Sequence, residues 1–264
     1  MKYYGRKTIN RIGEEGYNNF GSEMVIVKYN NADDIDVYFP EYNWTAKNAQ
    51  YDNFKKGNIV CPYEKRVYNV GYIGEGKYKA KENGKLTKCY DIWYAMLRRC
   101  YDPKFHEKEP TYKDCEVCKE WLNHQNFGDW FEDNYYEIES ERICLDKDIL
   151  HKGNKIYSPD NCIFVPHNIN SLFIKRDNYR GNYPIGVSYK KQNKKFQVKC
   201  SVYDSKTNKS KRIYLGLYAT PEKAFRAYKQ CKEQNIKEVA DYYKCKIPEK
   251  LYNALYKYKV EIND

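Results

Sequence analysis

The chain has 264 residues, with 47 Lys or Arg against 36 Asp or Glu and a formal net charge of +11. No apolar run approaches the roughly 18 residues that a membrane helix needs, which excludes a helical span. Aromatic residues make up 17%, including 30 tyrosines, which excludes a chain too polar to build a core.

The charge is unevenly placed. Residues 121–173 carry a net −5 and residues 174–215 a net +10, nearly the whole excess. An acidic block followed at once by a basic one predicts two modules, the first able to hold a cation and the second a polyanion. Residues 1–6 are followed by no apolar run, so no secretory signal is expected. The ten cysteines are then expected as free thiols of a reducing compartment, packed as small hydrophobes.

Three modules are expected in chain order. Residues 1–63 read as a small β-rich module. Met24 to Tyr29 and Ile35 to Phe39 are strand-like and flank the turn Asn30-Asn31; Pro40 ends the second strand. In the module at 64–174, Val70 to Gly74 has strand potential. Trp93, Met96, Leu97 and Cys100 then fall on one helical face. A second helix is expected near 119–132, around Trp121, Phe127, Trp130 and Phe131. Ile143 to Leu145 and Asn161 to Val165 read as a hairpin, with Gly153-Asn154 as a turn signal and a short helix around 168–174. His106 and His124 are expected at the surface.

The third module, 175–264, alternates clearly. Phe196, Val198, Cys200 and Val202 take one face of a strand, while Lys195, Gln197, Lys199, Ser201 and Tyr203 take the other. Ile213, Leu215 and Leu217 alternate in the next strand. Thr220-Pro221-Glu222 opens a helix, with a Thr cap, Pro in the first position and an acid in the first turn. Leu251, Ala254, Leu255 and Tyr258 predict a last helix. The expected fold class is therefore α+β: a small β module, a ββα module with flanking helices, and a three-stranded sheet packed on one helix.

The face of that sheet turned away from the helix should carry Lys195, Gln197, Lys199, Tyr203, Arg212 and Tyr214, with Lys190, Lys191 and Lys194 beside the first turn. Long cations interleaved with aromatic and amide groups suit duplex DNA: the cations neutralise phosphates, and Gln, Arg and Tyr reach base edges. The ordered motifs Ile185-Gly186-Val187-Ser188-Tyr189, Lys195-Phe196-Gln197-Val198, Tyr214-Leu215-Gly216-Leu217-Tyr218 and Thr220-Pro221-Glu222 through Tyr228 resemble the Apetala/ethylene-response-factor type DNA-binding domain over about 55 residues. The resemblance implies a sheet laid in the major groove.

A second resemblance lies upstream. Leu145-Asp146-Lys147-Asp148-Ile149-Leu150, Gly153-Asn154, Tyr157-Ser158-Pro159-Asp160-Asn161-Cys162 and Asn170 resemble the HNH (His-Me finger) nucleases of phage and mobile elements. With the flanking Trp93, Met96, Arg99, Cys100 and Tyr101, then Val117, Cys118, Glu120, Trp121 and Phe127, the likeness spans roughly residues 90–174. It implies Asp146 and Asn170 as ligands of one divalent cation, Mg²⁺ above all given hard oxygen donors. It also implies Asn161 as the asparagine that holds the hairpin. The general-base position carries Lys147 where the family has His. A lysine near its ordinary pKa of about 10.4 is a poor base, so Lys147 would hold the phosphate or stabilise the leaving group, and either His151 or His167 would supply a base or Asp148 would orient water. Cys115 and Cys118 form a lone C-x-x-C, and a structural zinc is not expected.

Together these features predict a homing-type endonuclease of a phage or mobile element. It would act on double-stranded DNA in the cytoplasm of a bacterial host. Two alternatives stand beside it: a DNA-binding regulator with an inactive nuclease fold, and a counter-defence protein engaging an acidic host factor.

Overall fold

A computed structural model of the chain describes residues 10–174 and 182–262. The chain start read for a signal, the module boundary at 174/175 and residues 175–181 of the basic segment lie at or outside those limits. The fold class is α+β with several small sheets. Contacts group into two compact units, Met1–Glu132 and Asp133–Asp264.

In the first unit, β1 (Glu15–Tyr17), β2 (Glu23–Asn31), β3 (Asp34–Phe39) and β4 (Trp44–Ala49) form an antiparallel sheet in that order. Period-two alternation puts Met24 and Ile26 of β2 and Ile35, Val37 and Phe39 of β3 on one face. Phe54 of α1 (Tyr51–Lys55), Ile59 and Cys61 close over them. The strand expected at 70–74 is reduced to isolated bridges, Val67 with Gly71 and Tyr72 with Asn123. A short hairpin of β5 (Lys81–Glu82) and β6 (Lys85–Leu86) follows.

Helix α2 (Lys88–Tyr101) starts at Thr87, whose hydroxyl accepts from the Tyr90 N–H at 3.2 Å. It buries the expected stripe of Trp93, Met96, Leu97 and Cys100, with Cys89 added. The Trp93 indole N–H donates to the Trp121 carbonyl at 2.7 Å and satisfies the ring's polar edge. Helix α3 (Pro103–Lys108), β7 (Glu116–Val117) and α4 (His124–Asn134) follow. The second expected helix is split: residues Lys119–Leu122 form a 3-10 turn carrying Trp121, and α4 begins only at His124.

In the second unit, β8 (Ile143–Asp146) pairs antiparallel with β10 (Ile163–Pro166), with Asp146 opposite Ile163. The short β9 (Ile156–Tyr157) lies in the loop between them, and α5 (His167–Asn170) leaves β10 directly. Then come β11 (Val187–Lys190), β12 (Lys195–Asp204) and β13 (Lys209–Tyr218), an antiparallel sheet with β12 in the middle. Helix α6 (Pro221–Tyr243) is capped by Thr220, which accepts from the Lys223 N–H at 3.3 Å, and α7 (Glu249–Lys257) follows.

Helix α6 serves two cores. Its first turns bury Ala224, Phe225 and Tyr228 against Val198 and Cys200 of the sheet. Its last turns bury Ile236, Val239, Ala240 and Tyr243 with Ile149, Ile163, Val165 and Ile169 of the hairpin region, and with Leu251 and Leu255 of α7. Between the two, Asn235 is buried and bonds the backbone of Tyr203 twice: its Oδ1 accepts from the Tyr203 N–H at 3.0 Å and its Nδ2 donates to the Tyr203 carbonyl at 2.9 Å.

Candidate functional site

Cross-strand pairing defines the faces of the C-terminal sheet. Lys190 pairs with Lys195, Ser188 with Gln197 and Gln197 with Leu217. Lys199 pairs with Tyr214, and Ser201 with Arg212. Directly opposed residues share a face, so Lys195, Gln197, Lys199, Arg212 and Tyr214 stand together on the side away from α6. Lys190, Lys191, Lys194, Lys195, Lys199 and Arg212 are exposed, and Tyr214 is 55% exposed. Lys194 takes a left-handed conformation in the β11–β12 turn, φ 49°.

Two expectations about this sheet are corrected. Tyr203 keeps the side of Lys199 and Ser201 by register but is not exposed there: it is buried at 7% exposure. It joins the core of the hairpin and the end of α6, and its hydroxyl donates to Asn208 at 2.7 Å. Asn235 holds the strand end where this ring meets Ile236 and Val239, so simple alternation assigned it to the wrong surroundings. Leu217 does not share the face of Ile213. The register shifts between Val198 and Lys199, so Leu215 is an extra residue between Tyr214, opposite Lys199, and Gly216, opposite Val198. This is a β-bulge. Gly216 has φ +118°, open to glycine and strained for other residues. The bulge keeps Tyr214 outward, turns Tyr218 towards the helix core, and leaves Leu217 beside Gln197 on the outer face.

Gly186 explains a second motif position. It has φ +75°, and a Cβ there would lie 2.1 Å from a ring carbon of Tyr228. The first strand can approach α6 only because that residue has no side chain.

In the hairpin, Asp146 ends β8. Its Oδ1 accepts from the backbone N–H groups of Asp148 at 2.9 Å and Ile149 at 2.8 Å, an Asx-type turn. Burial, with the neighbouring Asp148 charge second, pushes the Asp146 carboxyl up to about 6. Lys147 is 8% exposed; its ammonium donates to the Asn154 carbonyl at 2.9 Å and pairs with Asp148 Oδ2 at 3.2 Å. The side chain at the general-base position is thus turned into the loop and neutralises a neighbouring carboxylate.

The loop-holding asparagine is Asn154. Its Nδ2 donates to the carbonyls of Lys147 at 2.7 Å and Ile156 at 2.8 Å, while its Oδ1 accepts from the Ile156 N–H at 3.2 Å. Asn161, expected in that role, makes one long bond to the Ile156 carbonyl, 3.4 Å. In the sequence Asn154 is marked only by the Gly153-Asn154 turn signal, because one of its two acceptors, the Lys147 carbonyl, lies seven residues away.

Asn170 is the last residue of α5, which packs beside β8. His167 opens α5, exposed, with Nδ1 at 3.9 Å from the Cys144 sulfur, and His151 is exposed in the hairpin loop. The structure therefore brings Asp146, Lys147, Asp148 and Asn154 into one bonded cluster. Asp146, Asp148 and Asn170 carry hard oxygen donors of the kind Mg²⁺ takes, with Asp148 already paired to Lys147. No three His, Cys, Asp or Glu side chains group as a metal-holding set among the described residues, so water would fill most of such an ion's shell.

His124 is the largest departure from expectation. It is fully buried rather than at the surface. It lies edge-on to Tyr90 and Trp93, with Nε2 at 3.6 Å from the Cys89 sulfur, and its Nδ1 has no hydrogen-bond partner among the described residues. Burial pushes its pKa down to about 4 and that of Cys89 up to about 12, so both are neutral. His106 is half-buried and bonded to the Arg99 carbonyl at 2.8 Å. Six of the ten cysteines are buried and Cys245 is exposed.

No known family, curated protein or solved structure matches this chain. No helix among the described residues is long and apolar enough to cross a membrane.

Proposed function

We propose that the protein binds double-stranded DNA through the outer face of its C-terminal sheet and cuts it at the β8–β10 hairpin with a divalent cation. The observation that carries the reading is the outer face itself. Lys195, Lys199, Arg212 and Tyr214 stand exposed side by side with the half-exposed Gln197, next to Lys190, Lys191 and Lys194. Such a surface offers phosphate neutralisation and groups long enough for base edges.

At the hairpin, Asp146 and Asn170 would hold the cation, with Asp148 beside them. The cation, when bound, would supply Lewis acidity at the scissile phosphate. The chain contributes the rest. Two backbone N–H groups fix Asp146 Oδ1 and so hold the carboxyl in place. Asn154 ties Lys147 to Ile156 and keeps the loop shut. Asp148, His151 and His167 are the groups able to take a proton from water. Incubation of the protein with duplex DNA and Mg²⁺, beside Asp146→Ala, tests this: cleavage by the parent and not by the variant is expected, and equal cleavage by both refutes the assignment.

One observation favours a second reading, a DNA-binding regulator whose hairpin no longer cuts. The buried Lys147 ammonium already neutralises Asp148 where the nuclease family places its base. Salt-sensitive DNA binding without cleavage under Mg²⁺, Mn²⁺ or Zn²⁺ selects it.

A further inference from the structure

Helix α6 joins the DNA-facing sheet and the hairpin as one piece. Phe225 and Tyr228 are held in the sheet core. Val239 and Ala240, on the same helix, are held in the hairpin core. Three devices stiffen the junction. Asn235 clamps both backbone groups of Tyr203 at the end of β12. The Tyr203 ring crosses from the sheet into the hairpin core. The Tyr243 hydroxyl donates to Glu141 at 2.7 Å, just before β8, and Glu141 also accepts from Asn168 of α5.

We infer that α6 is a spacer of fixed length, so that the hairpin meets the duplex at a set offset from the bases the sheet contacts. The inference rests on the DNA-binding reading above, but not on cleavage. The separation follows from helix geometry. From Tyr228 or Phe225 to Val239 or Ala240 is about 13 residues, or about 20 Å at roughly 1.5 Å per residue. A run of that length matches about six base pairs along B-DNA, at roughly 3.4 Å per pair. A flexible linker would instead let the hairpin sample many positions, and a spread of offsets would follow. The ligand this geometry suits is therefore a duplex whose contacted bases and hairpin contact lie within one helical turn.

The full chain carries the test. A photo-crosslinking amino acid is placed at Ile156, exposed in the hairpin loop, in one variant, and at Tyr214 or Ser201 on the outer sheet face in two others. All three positions are exposed, so folding is retained. Each variant is irradiated on the duplex that the protein retains most strongly from a randomised pool, and the crosslinked nucleotides are mapped. Crosslinks from Ile156 confined to one or two nucleotides, within about six base pairs of those from the sheet, support the fixed spacer. Sharp sheet crosslinks with Ile156 crosslinks scattered over a full turn or more overturn the spacer while leaving sheet binding intact. Absence of any DNA crosslink at Tyr214 and Ser201 overturns the binding reading and the spacer with it.

Discussion

Replacing Asp146 by Asn should stabilise the second unit at neutral pH. The folded carboxyl sits at about 6 against an ordinary 3.8, so the fold prefers the protonated form. A carboxyl raised on folding costs nothing below its unfolded pKa, and its cost grows as pH rises through the folded value. The window is therefore from about 4 to above 6. At roughly 1.36 kcal/mol per pKa step, the full cost near pH 8 is on the order of 3 kcal/mol. Asparagine is close to the protonated acid in shape, and its Oδ1 can still accept from the Asp148 and Ile149 N–H groups. Its amide hydrogens would face the Asp148 carboxylate. Urea denaturation of both proteins near pH 4 and near pH 8 measures the gap. Asp146→Asn should be more stable by up to about 3 kcal/mol at the higher pH and equal at the lower. A gap of the same size at both pH values, or a less stable variant near pH 8, refutes the argument. Millimolar Mg²⁺ adds a second reading from the same melts. A cation held by Asp146 stabilises the parent by linkage and leaves Asp146→Asn unmoved.

Lys199→Ala and Arg212→Ala should each weaken duplex binding and lower the slope of log affinity against log salt by about 0.9, as measured by fluorescence anisotropy across a salt series. Tyr203→Ala should leave that slope unchanged and instead destabilise the second unit by about 3 kcal/mol, the usual cost of emptying a buried aromatic site. Gly186→Ala should cost about 3 kcal/mol or more in thermal or urea unfolding, because it combines a positive φ with a clash on Tyr228. His124 has a folded pKa of about 4 against 6.5, so the stability tied to its neutral ring is present above about 6.5 and lost as pH falls towards 4, by about 3 kcal/mol in all. His124→Leu should flatten that acid limb in the first unit, which a pH series of unfolding curves reads directly.

Much of the fold was legible because its signals are local. The stripe of Trp93, Met96, Leu97 and Cys100 gave α2, the Thr220-Pro221-Glu222 start gave α6, and alternation around Val198 and Cys200 gave the central strand. What escaped is what depends on a partner element. The bulge at Leu215 leaves no mark in hydrophobic alternation, since Leu217 looks like any other inward residue. Tyr203 follows the polar face by count, yet the end of α6 offers it a core. His124 reads as a surface residue until Tyr90 and Trp93 are folded over it. At the hairpin, the cluster of Asp146, Lys147 and Asp148 was visible as a string of charges. Its internal pairing and the part played by Asn154 were not, because both depend on how the nine-residue loop between β8 and β9 closes in three dimensions.

The bond pair between Asn235 and Tyr203 has a consequence beyond packing. Strand β11 begins opposite Val198, and one further bond, from the Lys199 N–H to the Gly186 carbonyl, extends that side of β12. Beyond it the edge of β12 would offer free donors and acceptors to any extended chain that drew near. The Asn235 amide occupies that position as a short strand would, with one donor and one acceptor in register. A helix side chain thus closes part of an unfinished edge and guards the sheet against pairing with a second copy of itself.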